Sequence, residues 1–288
     1  MFTGSYVALI TPFADGKIDE KALRALVNFQ IDNGTHGLVP MGTTGESSTV
    51  TEEEHKRTVE IVVEEAAGRV KVLAGAGSNN PVEALEYARC AEEAGADGAL
   101  CVAGYYNKPN QEGLFQHFRF IHDGCNIPLV IYNIPPRAIV DVQPDTMARL
   151  AELPRVVGVK DATGDLSRIA DERIRIKKDF SYLSGEDMTA IAYNAMGGNG
   201  CISVTANVAP ALCAEMQNAC TEGDYTRALA INDRLAPLHR ALFAEPSPAG
   251  AKYAASLLNL CGPDARLPIV ALTDTTKKRI QAALDRIR

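Results

Sequence analysis

The chain has no CxxC pair: its seven cysteines stand singly at positions 90, 101, 125, 201, 213, 220 and 261. That argues against a disulfide framework or a structural zinc site, and an odd number of scattered thiols fits a reducing compartment. No stretch is long and apolar enough to span a bilayer. Met1-Phe2-Thr3-Gly4-Ser5 carries neither the basic region nor the apolar region of a signal peptide. Positive charge is also short, with 29 Lys and Arg against 36 Asp and Glu for a net charge of −7. This balance disfavours nucleic acid or an anionic membrane as the main partner. The expectation is a cytoplasmic protein with neither kind of partner.

What is present is a regular alternation. A chain of 288 residues with 46% hydrophobic content buries one large core or two smaller ones. Short apolar runs predict strands near 7–10, 37–40, 70–74, 98–102, 129–132, 157–160, 182–184 and 201–204. Helical patterns fall between them at 20–32, 52–67, 81–94, 112–123, 144–153, 165–178 and 187–196. Thr51 with Glu54 makes a capping box, and Asn80-Pro81-Val82-Glu83 combines an N-cap, an N1 proline and an N3 glutamate. Three helix-to-strand junctions, around Gly34 and Gly37, Gly95 and Gly98, and Gly197 and Gly200, each offer a C-cap glycine and a second glycine opening the next strand. This is the count for an α/β fold of the (β/α)8 TIM barrel type over residues 1–205. Residues 206–288 read as a C-terminal helical extension packed on the barrel, with helices at 209–220, 224–242, 249–260 and 276–287 and no low-complexity linker before them.

In such a barrel, chemistry gathers at the C-terminal ends of the strands. Val156-Val157-Gly158-Val159-Lys160 places one lysine at the end of a run apolar enough for a strand buried on both faces, and Asp165 suits the N-cap of the following helix. An amine there is a candidate nucleophile toward a ketone, since desolvation disfavours its ammonium form. On this segment alone, a surface lysine at a strand end is the commoner reading. The other strand ends supply Gly42-Thr43-Thr44-Gly45-Glu46, Tyr105-Tyr106-Asn107, Tyr132-Asn133 and Ser184-Gly185-Glu186, all expected to face one mouth. Gly-Thr-Thr-Gly is not a Walker loop, because no Gly-Lys-Ser/Thr follows; its glycines let backbone N–H groups point at a small carboxylate, or simply make a tight turn. Arg137 is either a bidentate carboxylate clamp or an exposed loop cation. Tyr132 also reads as a core tyrosine, and the Tyr105-Tyr106 pair as an interface patch. Their joint occurrence at strand ends favours a site.

These motifs, with Tyr105-Tyr106-Asn107-Lys108-Pro109, Tyr132-Asn133-Ile134-Pro135, Gly158-Val159-Lys160-Asp161-Ala162-Thr163-Gly164 and Gly200-Cys201-Ile202-Ser203-Val204, resemble the pyruvate-dependent class I aldolase / N-acetylneuraminate lyase family over essentially the whole chain. The resemblance implies a lyase that condenses pyruvate with L-aspartate 4-semialdehyde through a Schiff base, giving 4-hydroxy-tetrahydrodipicolinate at the entry to lysine and diaminopimelate biosynthesis. It implies Lys160 as the imine-forming residue and Thr43, Tyr132 and Tyr106 as a proton relay, with Tyr106 entering from a neighbouring subunit. Thr43 and Thr44 N–H groups would hold the pyruvate carboxylate, Arg137 that of the second substrate, and Gly185 and Ile202 would line the pyruvate pocket. No metal and no organic cofactor is expected. The resemblance further implies a homotetramer built as a dimer of dimers, and L-lysine as an inhibitor at Ser47, Ser48, His55, Asn79, Glu83 and Tyr105. For two of these there are local readings, Glu83 as a capping residue and His55 as a surface group of its helix.

The sequence departs from the family pattern at Gly104, where proline is common, at Glu245-Pro246-Ser247-Pro248-Ala249-Gly250-Ala251-Lys252, at Glu52 and at Cys201. Two rival functions are a sugar-acid aldolase or dehydratase of the same family and a non-catalytic pyruvate-binding paralogue. Arg137 and the paired tyrosines argue against the first, and the intact Lys160, Thr43, Tyr132 and Tyr106 against the second.

Overall fold

The computed structural model describes residues 1–102 and 104–288. Eight parallel strands close into a barrel: β1 (Gly4–Ala8), β2 (Gly37–Val39), β3 (Lys71–Gly75), β4 (Gly98–Val102), β5 (Leu129–Asn133), β6 (Val156–Asp161), β7 (Ser181–Ser184) and β8 (Gly200–Ser203). Each strand pairs with its sequence neighbours, and β1 closes the ring by pairing with both β2 and β8. The intervening helices are α1 (Glu20–Asp32), α2 (Glu52–Ala66), α3 (Pro81–Glu93), α4 (Gln111–Gly124), α5 (Pro144–Ala151), α6 (Ser167–Arg175), α7 (Ala190–Ala195) and α8 (Pro210–Thr221). The chain then continues through α9 (Tyr225–Leu242), α10 (Ala249–Ser256) and α11 (Asp274–Asp285). The expected (β/α)8 barrel with a helical extension is therefore observed.

Strand side chains alternate in and out with period two. Tyr6, Ala8, Val39, Leu73, Leu100, Val130, Tyr132, Leu183 and Ile202 form one cluster that fills the barrel. Their neighbours Val7, Leu38, Val72, Cys101, Ile131 and Val159 belong to two other clusters, shared with the helices. Both faces of the sheet are dry, which is why the strands read as near-continuous apolar runs. The extension joins the same core through Ile231, Leu235, Leu238 and Leu242 of α9, all buried. Burial of each such side chain is worth about 1.5–3 kcal/mol. Helix α8 packs on both β1 and α9 and so belongs to the ring while anchoring the extension.

Local signals set most boundaries. Thr51 and Glu54 form the expected capping box on α2, and the Asn80 side chain accepts from Val82 N–H ahead of Pro81. At the three helix-to-strand junctions, Gly34, Gly95 and Gly197 take φ values of 82°, 83° and 103°, as a left-handed C-cap requires.

The differences have local causes. The first strand lies at Gly4–Ala8 rather than 7–10. Leu9 still donates to Val39 O, but Ile10 N–H turns to the Asn207 side chain, so the apolar run outlasts the ladder. Asp165 is not the N-cap of α6; Leu166 holds that position, and the Asp165 carboxylate accepts from Ser167 N–H one step upstream. The helix expected at 187–196 begins as a 3₁₀ turn, Asp187–Thr189, before α7. The Asp187 carboxylate is held instead by Ser203 Oγ and by Val204 and Thr205 N–H. Glu83 does not close a reciprocal capping box; its carboxylate accepts from Ser78 Oγ.

Candidate active site

Closure of the barrel brings the ends of β2, β5, β6 and β7 around one cavity of about 220 Å³. Thr43, Thr44, Tyr132, Arg137, Lys160 and Gly185 all line it. A larger hollow of about 410 Å³ lies around Thr3, Gly4, His36 and Asn199, and its walls hold none of these residues.

Lys160 is the penultimate residue of β6, and alternation turns it inward. Its side chain is 7% exposed, and its Nζ lies 4.1 Å from the centre of the Tyr132 ring. The two residues stand side by side in the β5–β6 ladder, so their proximity follows from register. Among the described residues, nothing hydrogen-bonds the Lys160 amine, leaving it available to a ligand. Gly185 makes room for it: a Cβ there would sit 3.1 Å from Lys160 Cε and 2.9 Å from Ala162 Cβ.

The turn after β2 has the form of an anion cradle. Gly45 and Ser47 N–H both donate to Gly42 O, and Glu46 N–H donates to Thr43 O. Among the described residues, the N–H groups of Thr43 and Thr44 meet no acceptor, and both residues border the cavity. Met41 and Glu46, which flank the turn, adopt φ of 54° and 62°. Such left-handed values in non-glycine residues persist only where the surroundings enforce them. Gly45 is required here, since a Cβ would lie 2.9 Å from Met41 N. Arg137 sits at the rim on the short helix Pro135–Ala138, and among the described residues its guanidinium has no carboxylate partner.

Several expected residues lie elsewhere. Asn133 does not face the mouth; it turns outward, donating to Asp141 Oδ1 at 2.7 Å and accepting from Val142 N–H. Alternation demands this once Tyr132 points inward. Glu46 also faces away, into a buried ion pair with Lys252 at 2.7 Å. Ile202 belongs to the barrel core, and Val204 forms the cavity wall on that side. Gly185 N–H is taken by Asp161 O at 2.6 Å, leaving its carbonyl for a ligand. Tyr106, 85% exposed at a φ of 69°, does not border the cavity, and neither does Tyr105. Among the described residues, no hydrogen bond joins the hydroxyls of Thr43, Tyr132 and Tyr106 within one chain.

Glu186 lines the cavity as its place in Ser184-Gly185-Glu186 implies, whereas the sequence does not point to Phe243 and Ser247, which line it too. Nothing local marks Phe243 or Ser247, which arrive from the extension. Behind Lys160 lies a second unanticipated group. Asp161 points outward and is 5% exposed; one carboxylate oxygen accepts from Thr163 N–H at 2.8 Å, and the other has no partner among the described residues. Burial pushes its carboxyl above the usual range, and burial likewise pushes Glu172 up to about 8. Arg168 pairs with Glu172 and with Asp141.

The second expected set is partly assembled. His55 is buried at 3% exposure, not a surface group. Its Nε2–H donates to Gly75 O at 2.8 Å, and its ring stacks on Tyr87 with centres 4.0 Å apart. The carbonyl can only accept, so Nε2 carries the proton, and Nδ1 has no partner among the described residues. Glu83 lies within electrostatic reach of His55, and both Glu83 and Tyr105 of Tyr87. Asn107 donates to Asn79 O, tying the Tyr105 loop to this region. Among the described residues, no three His, Cys, Asp or Glu side chains group to hold a metal ion, and no helix is long and apolar enough to cross a membrane.

Residues 1–287 match the Dihydrodipicolinate synthetase family. A 4-hydroxy-tetrahydrodipicolinate synthase of Parvibaculum lavamentivorans is 57% identical over 284 residues, covering 99% of this chain and 98% of its own. Two solved structures are close in shape. The chloride-inhibited dihydrodipicolinate synthase of Acinetobacter baumannii complexed with pyruvate superposes with a TM-score of 0.97 at 40% identity, covering 99% of each chain. The enzyme of Cyanidioschyzon merolae with lysine bound gives 0.95 at 34% identity, covering 99% of this chain and 98% of its own.

Burial pushes His55 down to about 4, with Glu83 and Glu52 opposing the shift and Lys56 adding to it. Between pH 6.5 and about 4 the unfolded chain therefore binds more protons than the folded one. The stability contributed by the neutral ring is complete above 6.5 and is lost as pH falls through that window, by about 3 kcal/mol in all. His117, also pushed to about 4, adds a parallel loss. Urea unfolding at stepped pH should show His55→Gln, which keeps a donor for Gly75 O, losing less stability than the parent below pH 6; parallel curves would refute the assignment.

Proposed function

The chain belongs to the dihydrodipicolinate synthetase family, and on that premise we propose a Schiff-base mechanism centred on Lys160. The protein is a lyase of the class I aldolase type that condenses pyruvate with L-aspartate 4-semialdehyde to 4-hydroxy-tetrahydrodipicolinate. The observation that carries the mechanism is an unpartnered lysine amine beside the Tyr132 ring, in a cavity sized for a small keto acid and bordered by two unused backbone N–H groups.

Pyruvate enters with its carboxylate on the N–H groups of Thr43 and Thr44. The Lys160 amine adds to the keto carbon, and loss of water gives an iminium. This is an electron sink, so the methyl carbon gives up a proton and becomes an enamine. The enamine carbon bonds to the aldehyde carbon of the second substrate, whose oxygen takes up a proton. The substrate's own amine then attacks the imine carbon, closes the ring and expels Lys160 as the free amine. Tyr132 and Thr43 hydroxyls serve as donor and acceptor in these transfers. Arg137 at the rim fits the carboxylate of aspartate semialdehyde as a bidentate clamp.

Borohydride added with pyruvate should fix an adduct on Lys160, read by peptide mass; an adduct on another lysine, or none, overturns the mechanism. Lys160→Arg should not be trapped, because a guanidinium stays protonated. Arg137→Ala should lower kcat/KM for aspartate semialdehyde on the order of 10²-fold while trapping of pyruvate continues. If trapping falls equally, Arg137 is not a clamp for the second substrate.

Tyr106 joins the relay from a second copy of the chain. Its 85% exposure and its position off its own cavity support this reading, since a large bare aromatic at a loop tip suits an interface. The assembly follows as at least a dimer, with a dimer of dimers as the expected form. Mixing inactive Lys160→Arg and Tyr106→Phe chains and allowing exchange should restore part of the activity; no recovery after verified exchange refutes the shared site.

L-Lysine is the proposed inhibitor, on the face where His55, Glu83 and Tyr105 gather. A carboxylate suits its ammonium group, and a phenol and an amide suit its carboxylate. Glu83→Ala should relieve inhibition of the initial rate; a parent enzyme insensitive to millimolar lysine removes this proposal.

A further inference from the structure

The turn that presents Thr43 and Thr44 to the cavity is tethered from the opposite side, by the C-terminal extension. Glu46 is 5% exposed and holds its left-handed φ of 62°. One of its carboxylate oxygens accepts from Lys252 Nζ at 2.7 Å, and the other from the backbone N–H of Arg266 at 2.7 Å. Lys252 is wholly buried on α10, and Arg266 lies in the segment leading to α11. The Arg266 guanidinium donates to Thr49 O at 3.1 Å and to both carboxylate oxygens of Glu54 at 2.6 Å. Both cations lie over the Phe13 ring, Lys252 Nζ at 4.0 Å and the Arg266 guanidinium carbon at 4.3 Å from its centre.

Glu46 and the cradle share one backbone turn. Glu46 N–H donates to Thr43 O at 3.1 Å, so the peptide linking Thr43 to Thr44 is fixed by the residue that Lys252 holds. On its other side, Thr11 Oγ1 donates to Gly45 O at 2.7 Å. Among the described residues, the N–H groups of Thr43 and Thr44, which border the cavity, meet no acceptor. We infer that Glu46, Lys252 and Arg266 are positioning residues for keto-acid binding: through this buried pair the extension fixes the orientation of the Thr43 and Thr44 N–H groups.

This rests on the reading that those N–H groups receive the pyruvate carboxylate. A purely structural pair would affect folding stability without separating the kinetic constants of the two substrates. A positioning pair acts on one substrate only. In that case the turn relaxes when the pair is lost, and the ground-state grip on pyruvate loosens while the Lys160 chemistry survives.

The test is steady-state kinetics on the full-length enzyme carrying Glu46→Gln together with Lys252→Met, which removes both charges and keeps the volume. KM for pyruvate should rise on the order of tenfold; kcat at saturating pyruvate and KM for aspartate semialdehyde should change far less. An unchanged pyruvate KM, or a fall in kcat alone, overturns the inference. Should that variant fail to fold, Glu46→Gln alone takes its place, since the amide keeps an oxygen to accept from Arg266 N–H and removes the charge that orders Lys252 Nζ. Its pyruvate KM should rise too, and an unchanged value is equally fatal. A parent enzyme that borohydride cannot trap with pyruvate defeats the catalytic reading itself, whereas a trapped parent with insensitive variants defeats only this inference.

Discussion

The Tyr6 ring lies inside the barrel with the backbone of Gly37 pressed against it; a Cβ on Gly37 would fall 2.0 Å from Tyr6 Cε1. Similar contacts occur where β4 and β8 begin: a Cβ on Gly98 would meet Phe2 Cζ at 2.6 Å, and one on Gly200 would meet Gly4 O at 2.2 Å. Two of these glycines lie on the strands that flank β1, where the ring closes. A parallel barrel has no free edge to adjust, so side-chain volume at its floor must match the space that closure leaves. Large rings from the first strand segment and bare backbone opposite them satisfy that condition. Closure then sets the register, and the register sets Lys160 beside Tyr132.

Alternation along β6 separates two neighbouring ionisable residues by function. Lys160 turns into the cavity, where its amine has no hydrogen-bond partner among the described residues. Asp161 turns outward into a compartment with Glu172, Arg168 and Asp141, where burial raises both Asp161 and Glu172. The Asp161 backbone carbonyl meanwhile receives Gly185 N–H, stitching the Lys160 strand end to the next loop. Thr163 N–H on the Asp161 carboxylate holds the loop that leaves the strand. The contacts that hold the strand end around Lys160 are thus made on the side of the strand away from the cavity.

The strands and helices were legible because a parallel strand is apolar on both faces and because Thr51, Asn80 and the junction glycines act locally. The cavity residues were legible once strand ends were known, since the fold itself sends them to one face. Other features escaped for specific reasons. The outward turn of Asn133 followed from period two but was obscured by its place beside Tyr132 in one motif. The 3₁₀ start before α7 reflects the capture of Asp187 by Ser203, Val204 and Thr205, a contact across the sheet with no local trace. His55 looked like a surface group because its burial depends on Tyr87 and Gly75, which come from other elements. Lys252 did leave a signal: a lone charge in the run Ala249-Gly250-Ala251-Lys252-Tyr253-Ala254-Ala255. Its partner, 206 positions away, could not be named without the fold.

That pair changes how the extension should be understood. The segment after the barrel contributes Phe243 and Ser247, from the turn between α9 and α10, to the cavity wall, and Lys252 of α10 to the anchor of the Thr43–Thr44 turn. Stability alone does not account for a buried ion pair, because apolar residues of similar volume often serve as well or better, whereas deleting one partner costs about 3–5 kcal/mol. What an ion pair adds is direction. Methyl groups against methyl groups tolerate small rotations, but a carboxylate bound at both oxygens, one by an ammonium and one by a backbone N–H, admits few orientations. Glu46 is one hydrogen bond from the Thr43–Thr44 peptide at the cavity, at a φ that non-glycine residues rarely hold unaided. The directional contact is therefore placed where a loss of orientation would be felt at the cavity, and the extension is a wall of the site as well as a cover for the barrel.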